Sequence, residues 1–196
     1  MQAAHKPPTK KPFIMHKGKR YQMMNTNIHY GVSEHERTNT IASLVDRGSN
    51  GGLGGEDVRL LESTLRKADI SGIDDFTIKD VPIGTVAGVS LAYMGNTQVY
   101  INLILHQYAY LGTGKTIHSS IQLEDHQIEV NDKSYKVKGG RQALTTPDGY
   151  IIPLQIRGGL AYLDMHPPTD QELDEYPHIV LTADIDWDPT VLDCEL

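Results

Sequence analysis

The chain reads as a mostly-β domain, a sandwich or barrel of short strands with one or two short helices. Three observations predict this. Runs rich in Val, Ile, Thr and Tyr recur at intervals of about ten residues, the spacing of all-β folds. The 18 Gly and 10 Pro residues fall largely between those runs, where turns need them. Pro147-Asp148-Gly149 separates two β-rich runs, which is a strong hairpin signal.

Residues 1–27 read as a flexible basic leader, rich in Lys and Pro and without period. Residues 28–166 read as the β domain. Its first clear strand is the apolar run Ile41-Ala42-Ser43-Leu44-Val45, short enough to be a buried strand. The run ends at Asp46, and Gly48, Gly51, Gly52, Gly54 and Gly55 follow within eight residues. Glycine at that density means a backbone that needs unusual dihedrals or approaches something closely. Residues 56–62 fit a helical turn or a strand. Further strands are expected at 67–73, 76–83, 85–94, 98–105, 126–130, 134–138, 142–146, 150–156 and 161–164. Turn signals such as Gly95-Asn96, Asn131-Asp132 and Gly158-Gly159 separate them. Residues 119–124 suit a short helix. A second helix is expected at 169–176, where Thr169 precedes Glu172 by three residues in a capping-box pattern. Residues 167–196 form an acidic tail. Its stretch from Ile179 to Pro189 suits an edge strand that completes a dimer sheet, or an acidic linker.

Composition bounds the function. A chain of 196 residues supports one domain and buries enough surface to fold without staples. The one cysteine, Cys194, allows neither an internal disulfide nor a Cys-based zinc site, which suits the reducing cytosol or nucleus. No apolar run of about 18 residues predicts a membrane helix, and the polar start lacks a signal-peptide core. Net charge is −7 but uneven. The first forty residues hold Lys6, Lys10, Lys11, Lys17, Lys19, Arg20 and Arg37 against Glu34 and Glu36. The tail is acidic without Lys or Arg. Such ends are usually solvated; the basic leader also admits weak nucleic-acid contact through phosphates.

The chemistry centres on Leu44-Val45-Asp46-Arg47-Gly48-Ser49. An aspartic protease needs a carboxylate at the end of an apolar strand, turned by a Gly that lets backbone amides reach it. Two such carboxylates then share one proton, because like charges so close do not both ionise easily. One acts as base toward water and the other as acid toward the peptide. Alone, an Asp-x-Gly sequence is also an ordinary turn.

The stretch from Leu44 to about Met165 resembles the protease region of copia-type LTR retrotransposon polyproteins. The resemblance rests on the Asp46 motif, on Lys115-Thr116-Ile117-His118-Ser119-Ser120-Ile121-Gln122-Leu123, on Ile128-Glu129-Val130-Asn131-Asp132, and on Pro147-Asp148-Gly149-Tyr150-Ile151-Ile152-Pro153-Leu154, in matching order. It implies a retropepsin-like closed β-barrel with a flap, one catalytic Asp per chain and an active homodimer that cuts its own polyprotein. Asp46 would be the catalytic carboxylate, Gly48 would make the turn, and Ser49 would hydrogen-bond the carboxylate from the side. One position departs from the family. Arg47 stands where a small hydroxyl residue crosses the dimer axis, and a guanidinium there favours the ionised carboxylates. Either the site is inactive or Arg47 points outward.

Other signals weigh less. Gly112-Thr113-Gly114-Lys115-Thr116 lacks the first Gly of a phosphate-binding loop, since Ala109 stands there. The nine His residues show no metal-ligand spacing, and Asp184, Asp186 and Asp188 lack the Gly and closing Glu of a calcium loop. No cofactor and no metal is expected. Tyr108, Tyr110, Tyr150 and Tyr162 read as core, with Tyr108-Ala109-Tyr110 as a candidate groove lining. A non-catalytic β-rich module of a retroelement polyprotein is the alternative to a protease; the two differ in whether Asp46 is needed.

Overall fold

The computed structural model describes residues 13–22, 42–72 and 75–194. The chain divides into two compact units, residues 1–34 and 35–196.

In the first unit, β1 (Phe13–His16) and β2 (Lys19–Gln22) pair antiparallel with His16 opposite Lys19. The linking pair Lys17-Gly18 has φ of 46° and 71°, and a two-residue hairpin turn of this hand needs positive φ at both positions. This hairpin falls within the basic leader expected over 1–27. The rest of that leader lies outside the described residues.

The second unit is mostly β. It comprises β3 (Ser43–Asp46), β4 (Leu53–Gly54), β5 (Arg59–Ser71), β6 (Thr77–Met94), β7 (Thr97–Tyr110), β8 (Ile117–Ser119), α1 (Ser120–Asp125), β9 (Glu129–Asn131), β10 (Ala143–Thr145), β11 (Tyr150–Pro153), β12 (Gln155–Arg157), β13 (Leu160–Leu163), α2 (Asp170–Glu175) and β14 (His178–Val180). A 3₁₀ helix at Pro189–Cys194 follows. The strands form one twelve-stranded sheet in the order β12-β13-β3-β8-β4-β7-β6-β11-β10-β9, with β5 added on β6 and β14 on β7. The expected closed barrel is not formed. Closure would require β12 to pair with β9, and these three-residue strands stand at opposite ends of the order. The two longest strands, β6 and β7, instead divide their length among several neighbours: β6 meets β5 over Thr77–Ala87 and β11 at Tyr93 and Met94.

Several strands differ from the sequence expectation. The runs at 76–83 and 85–94 fuse into the single strand β6, because Gly84 serves a close approach rather than a turn. A Cβ there would sit 2.4 Å from the Glu62 carbonyl oxygen. The run at 150–156 breaks after Pro153, where the Leu154 amide leaves the ladder and donates to the Gln142 carbonyl. Residues 134–138 form turns rather than a strand, with the Val137 amide donating to Ser134 and the Gly140 amide to Val137. Tyr135 and Val137 there are exposed, so no buried face rewards strand pairing.

Both helices start at a side-chain cap, and the one at Thr169 is the capping box expected from the sequence. The Ser119 side chain caps α1 by accepting from the Gln122 amide. At α2 the Thr169 hydroxyl accepts from the Glu172 amide at 3.2 Å, and Glu172 accepts from the Thr169 amide at 2.8 Å. After α2 the tail returns to the sheet: β14 pairs parallel with β7, His178 opposite Asn102. The core gathers Val86, Ile101, Leu103, Leu105, Leu123, Leu144, Ile152, Leu163 and Leu181, all fully buried. No helix among the described residues is long and apolar enough to cross a membrane.

Candidate functional site

Asp46 is the last residue of β3, which lies between β13 and β8. Ala42, Ser43, Leu44 and Val45 are buried, and exposure begins at Asp46. The apolar strand therefore fixes the backbone, and the carboxylate emerges where the strand ends. Asp46 pairs in parallel register with Ser119 of β8. The Gly48 amide donates to Asp46 Oδ1 at 2.8 Å. A Cβ at Gly48 would come within 3.2 Å of that same oxygen, so the turn is tight at this residue.

The loop after Asp46 is anchored at consecutive backbone groups. Ser119 Oγ donates to the Ser49 carbonyl at 2.6 Å. Trp187 Nε1 donates to the Asn50 carbonyl at 2.8 Å. The Gly52 amide donates to Gln122 Oε1 at 2.8 Å. The Gln122 amide group in turn donates to the Gln107 carbonyl at 3.2 Å. Ser49 takes a different place from the one expected, since its hydroxyl donates to the Gly51 carbonyl at 2.7 Å.

Arg47 points outward, toward α1 and β9. Its Nη2 donates to the Val130 carbonyl at 2.9 Å and pairs with Glu124 Oε1 at 3.0 Å. Its Nε lies 3.2 Å from Asp132 Oδ2. The hydrogen bond to Glu124 leads the effects that hold the guanidinium in its charged form. All three side chains are partly exposed. Arg47→Ala should therefore cost about 1 kcal/mol or less. Urea unfolding at 0.1 and 1 M salt checks this, and the difference between the proteins should shrink at high salt. A loss several times larger would mean that Arg47 organises the loop.

A buried polar chain runs behind the loop. The Tyr108 hydroxyl lies 2.9 Å from His118 Nδ1, and His118 Nε2 lies 2.9 Å from Ser43 Oγ. Ser43 Oγ donates to the Leu163 carbonyl, so it accepts from His118 Nε2–H, and Tyr108 donates to Nδ1. All three residues are fully buried. Desolvation lowers the His118 pKa to about 3 and raises that of Tyr108. A second buried group, Asp57, accepts from the Thr116 hydroxyl and amide, while its Oδ2 has no hydrogen-bond partner. Burial raises the Asp57 pKa. The Thr116 hydroxyl also accepts from the Gly55 amide at 2.9 Å, tying the end of the glycine loop to the start of β8.

Asp46, Gly48 and Ser49, the candidate site residues, lie in one turn with the departing Arg47. Sequence reasoning missed Gln122, His118, Asp57 and Trp187. Ser119 fell in the segment expected to be a short helix, but nothing in the sequence paired it with Ser49. Tyr108, left between core and groove, is core. Among the described residues no three His, Cys, Asp or Glu side chains converge to hold a metal ion. Compared with family models, curated proteins and solved structures, the chain gives no match.

Proposed function

We propose that the chain is a retropepsin-like aspartic endopeptidase domain of a copia-type retroelement polyprotein, acting as a homodimer on its own polyprotein. The observation that carries this reading is Asp46, half-exposed at the end of a buried strand, with its carboxylate held by the Gly48 amide. The chemistry needs two carboxylates that share a proton. One chain supplies one, so a second copy supplies its mate. Arg47 is compatible with this because its guanidinium is engaged by Glu124, Asp132 and Val130. The reading goes with a cytosolic or nuclear location, and it leaves room for weak nucleic-acid contact by the basic leader.

A second reading, the non-catalytic β-rich module, is favoured by one observation. Ser49 Oγ donates to Gly51 rather than supporting the carboxylate.

The test is self-processing of the chain carrying its flanking polyprotein segments, between pH 5 and 7, compared with Asp46→Asn. The variant should fold, and processing should fall by about 10³-fold or more. Equal processing in the two proteins, or none in either, would leave the non-catalytic module.

A further inference from the structure

We propose that the strap of residues 183–188 sets the geometry of the Asp46 loop, with Trp187 as its positioning residue; this rests on the protease reading above. The strap leaves β14 and crosses the loop. Trp187 Nε1 donates to the Asn50 carbonyl at 2.8 Å. The indole edge lies against Gly51, where a Cβ would sit 3.8 Å from Nε1. Trp187 is half-buried between exposed Asp186 and Asp188. In an acidic segment, a large aromatic ring turned inward onto a glycine has a specific partner.

The strap is itself held by strand irregularities, which makes it a fixed support. Gln107 on β7 has a φ of 60°, an unfavourable conformation for a residue with a Cβ, and stands near the register shift between β6 and β7. Its side-chain amide donates to the Asp184 carbonyl at 3.2 Å. Arg66 lies within the register shift of β5 between Ser63 and Lys67. It donates to Gln107 Oε1 at 3.0 Å and to the Trp187 carbonyl at 3.2 Å, and it pairs with Asp186 at 3.5 Å. The Thr182 hydroxyl fixes the start of the strap by donating to the His106 carbonyl at 2.8 Å. Irregularities in two separate strands thus aim side chains at one strap.

Of the three side chains that grip consecutive parts of the loop, Ser119 and Gln122 come from the junction of β8 and α1. Trp187 comes from the opposite end of the sequence. It holds the middle of the loop, where glycines supply no side chains of their own. Losing its N–H frees the Asn50 carbonyl to turn to water, and the loop that orients Asp46 loosens.

The experiment compares the full chain, carrying its flanking polyprotein segments, with Trp187→Phe, which keeps an aromatic ring and removes the donor. Hydrogen exchange of the backbone amides at 48–52 and the self-processing rate are both measured. The expected result is exchange about fivefold faster at 48–52, unchanged exchange in β6 and β7, and processing about tenfold slower. Unchanged exchange in the loop would overturn the proposal. So would a rise spread through β6 and β7, which marks a merely structural role, or a local rise with processing at the normal rate. The same exchange measurement in the Asp46→Asn background separates the two claims. If the wild-type chain does not process at all, the protease reading fails, and the exchange arm still decides whether Trp187 fixes the loop.

Discussion

Gly52→Ala should lower stability by about 3 kcal/mol or more, whereas Gly51→Ala should leave it unchanged or raise it by up to about 1 kcal/mol. The two glycines are adjacent in sequence, and neither has a positive φ. What separates them is the space around the missing side chain. A Cβ at Gly52 would lie 2.3 Å from the Tyr108 ring, which is fully buried. The ring has nowhere to move without breaking its hydrogen bond to His118 and leaving a buried hydroxyl unpaired, itself a cost of about 1–3 kcal/mol. At Gly51 the added carbon would meet only the Trp187 ring at an ordinary 3.8 Å. Gly55→Ala belongs with Gly52, because the obstacle is the Gly114 carbonyl oxygen at 2.2 Å, and a backbone atom cannot rotate aside. Urea midpoints of the three variants decide the matter. If Gly52→Ala were as stable as Gly51→Ala, Tyr108 would not pack against the loop as described.

The second large effect is acid sensitivity centred on His118. Burial depresses its pKa from the ordinary 6.5 to about 3. In the unfolded chain the ring takes a proton as the pH drops below about 6.5, while the folded ring refuses one until about pH 3. Stability is therefore fully present above the unfolded pKa and is lost as the pH falls toward the folded one. At pH 5 the loss is about 2 kcal/mol relative to neutral pH, a sizeable part of a marginal folding free energy. Asp57 works in the opposite direction. Burial raises its pKa, so its contribution is present below the unfolded value and is lost as the pH rises through the folded one. His118→Gln isolates the histidine. The variant should be less stable than the parent at pH 7.5, and the gap should narrow by about 2 kcal/mol at pH 5. Urea unfolding at the two pH values measures this; a constant gap would mean that His118 does not titrate as a buried neutral ring. The activity proposed for Asp46 would favour mild acid, and this core sets a lower limit on the acid the fold tolerates.

The strand content, the hairpin at Pro147-Asp148-Gly149 and both helix starts were legible because each depends on neighbours in sequence. Gly149 has a φ of 98°, as such a turn requires. The cap at Thr169 is a contact across three residues. The end of the buried run at Asp46 was equally local, since apolar residues give way to Asp-Arg-Gly within one stretch. The glycine loop was half legible. Its density announced either unusual dihedrals or close approach, and only the fold decides for close approach, because the obstacles at Gly52 and Gly55 come from Tyr108 and Gly114, more than fifty residues along the chain.

What the sequence determined by itself was therefore the class of the fold and the one turn that presents Asp46. Tertiary structure decided the rest. The open order of the sheet follows from two long strands that serve several neighbours each. The outward course of Arg47 is set by Glu124 and Asp132, about eighty residues away, which offer compensating charge that no local pattern reveals. The same holds for Trp187 on Asn50, a hydrogen bond across 137 residues. Period and turn chemistry act over a few residues, whereas a supporting contact depends on which distant segments the core brings together, and that is fixed only when the whole sheet has formed.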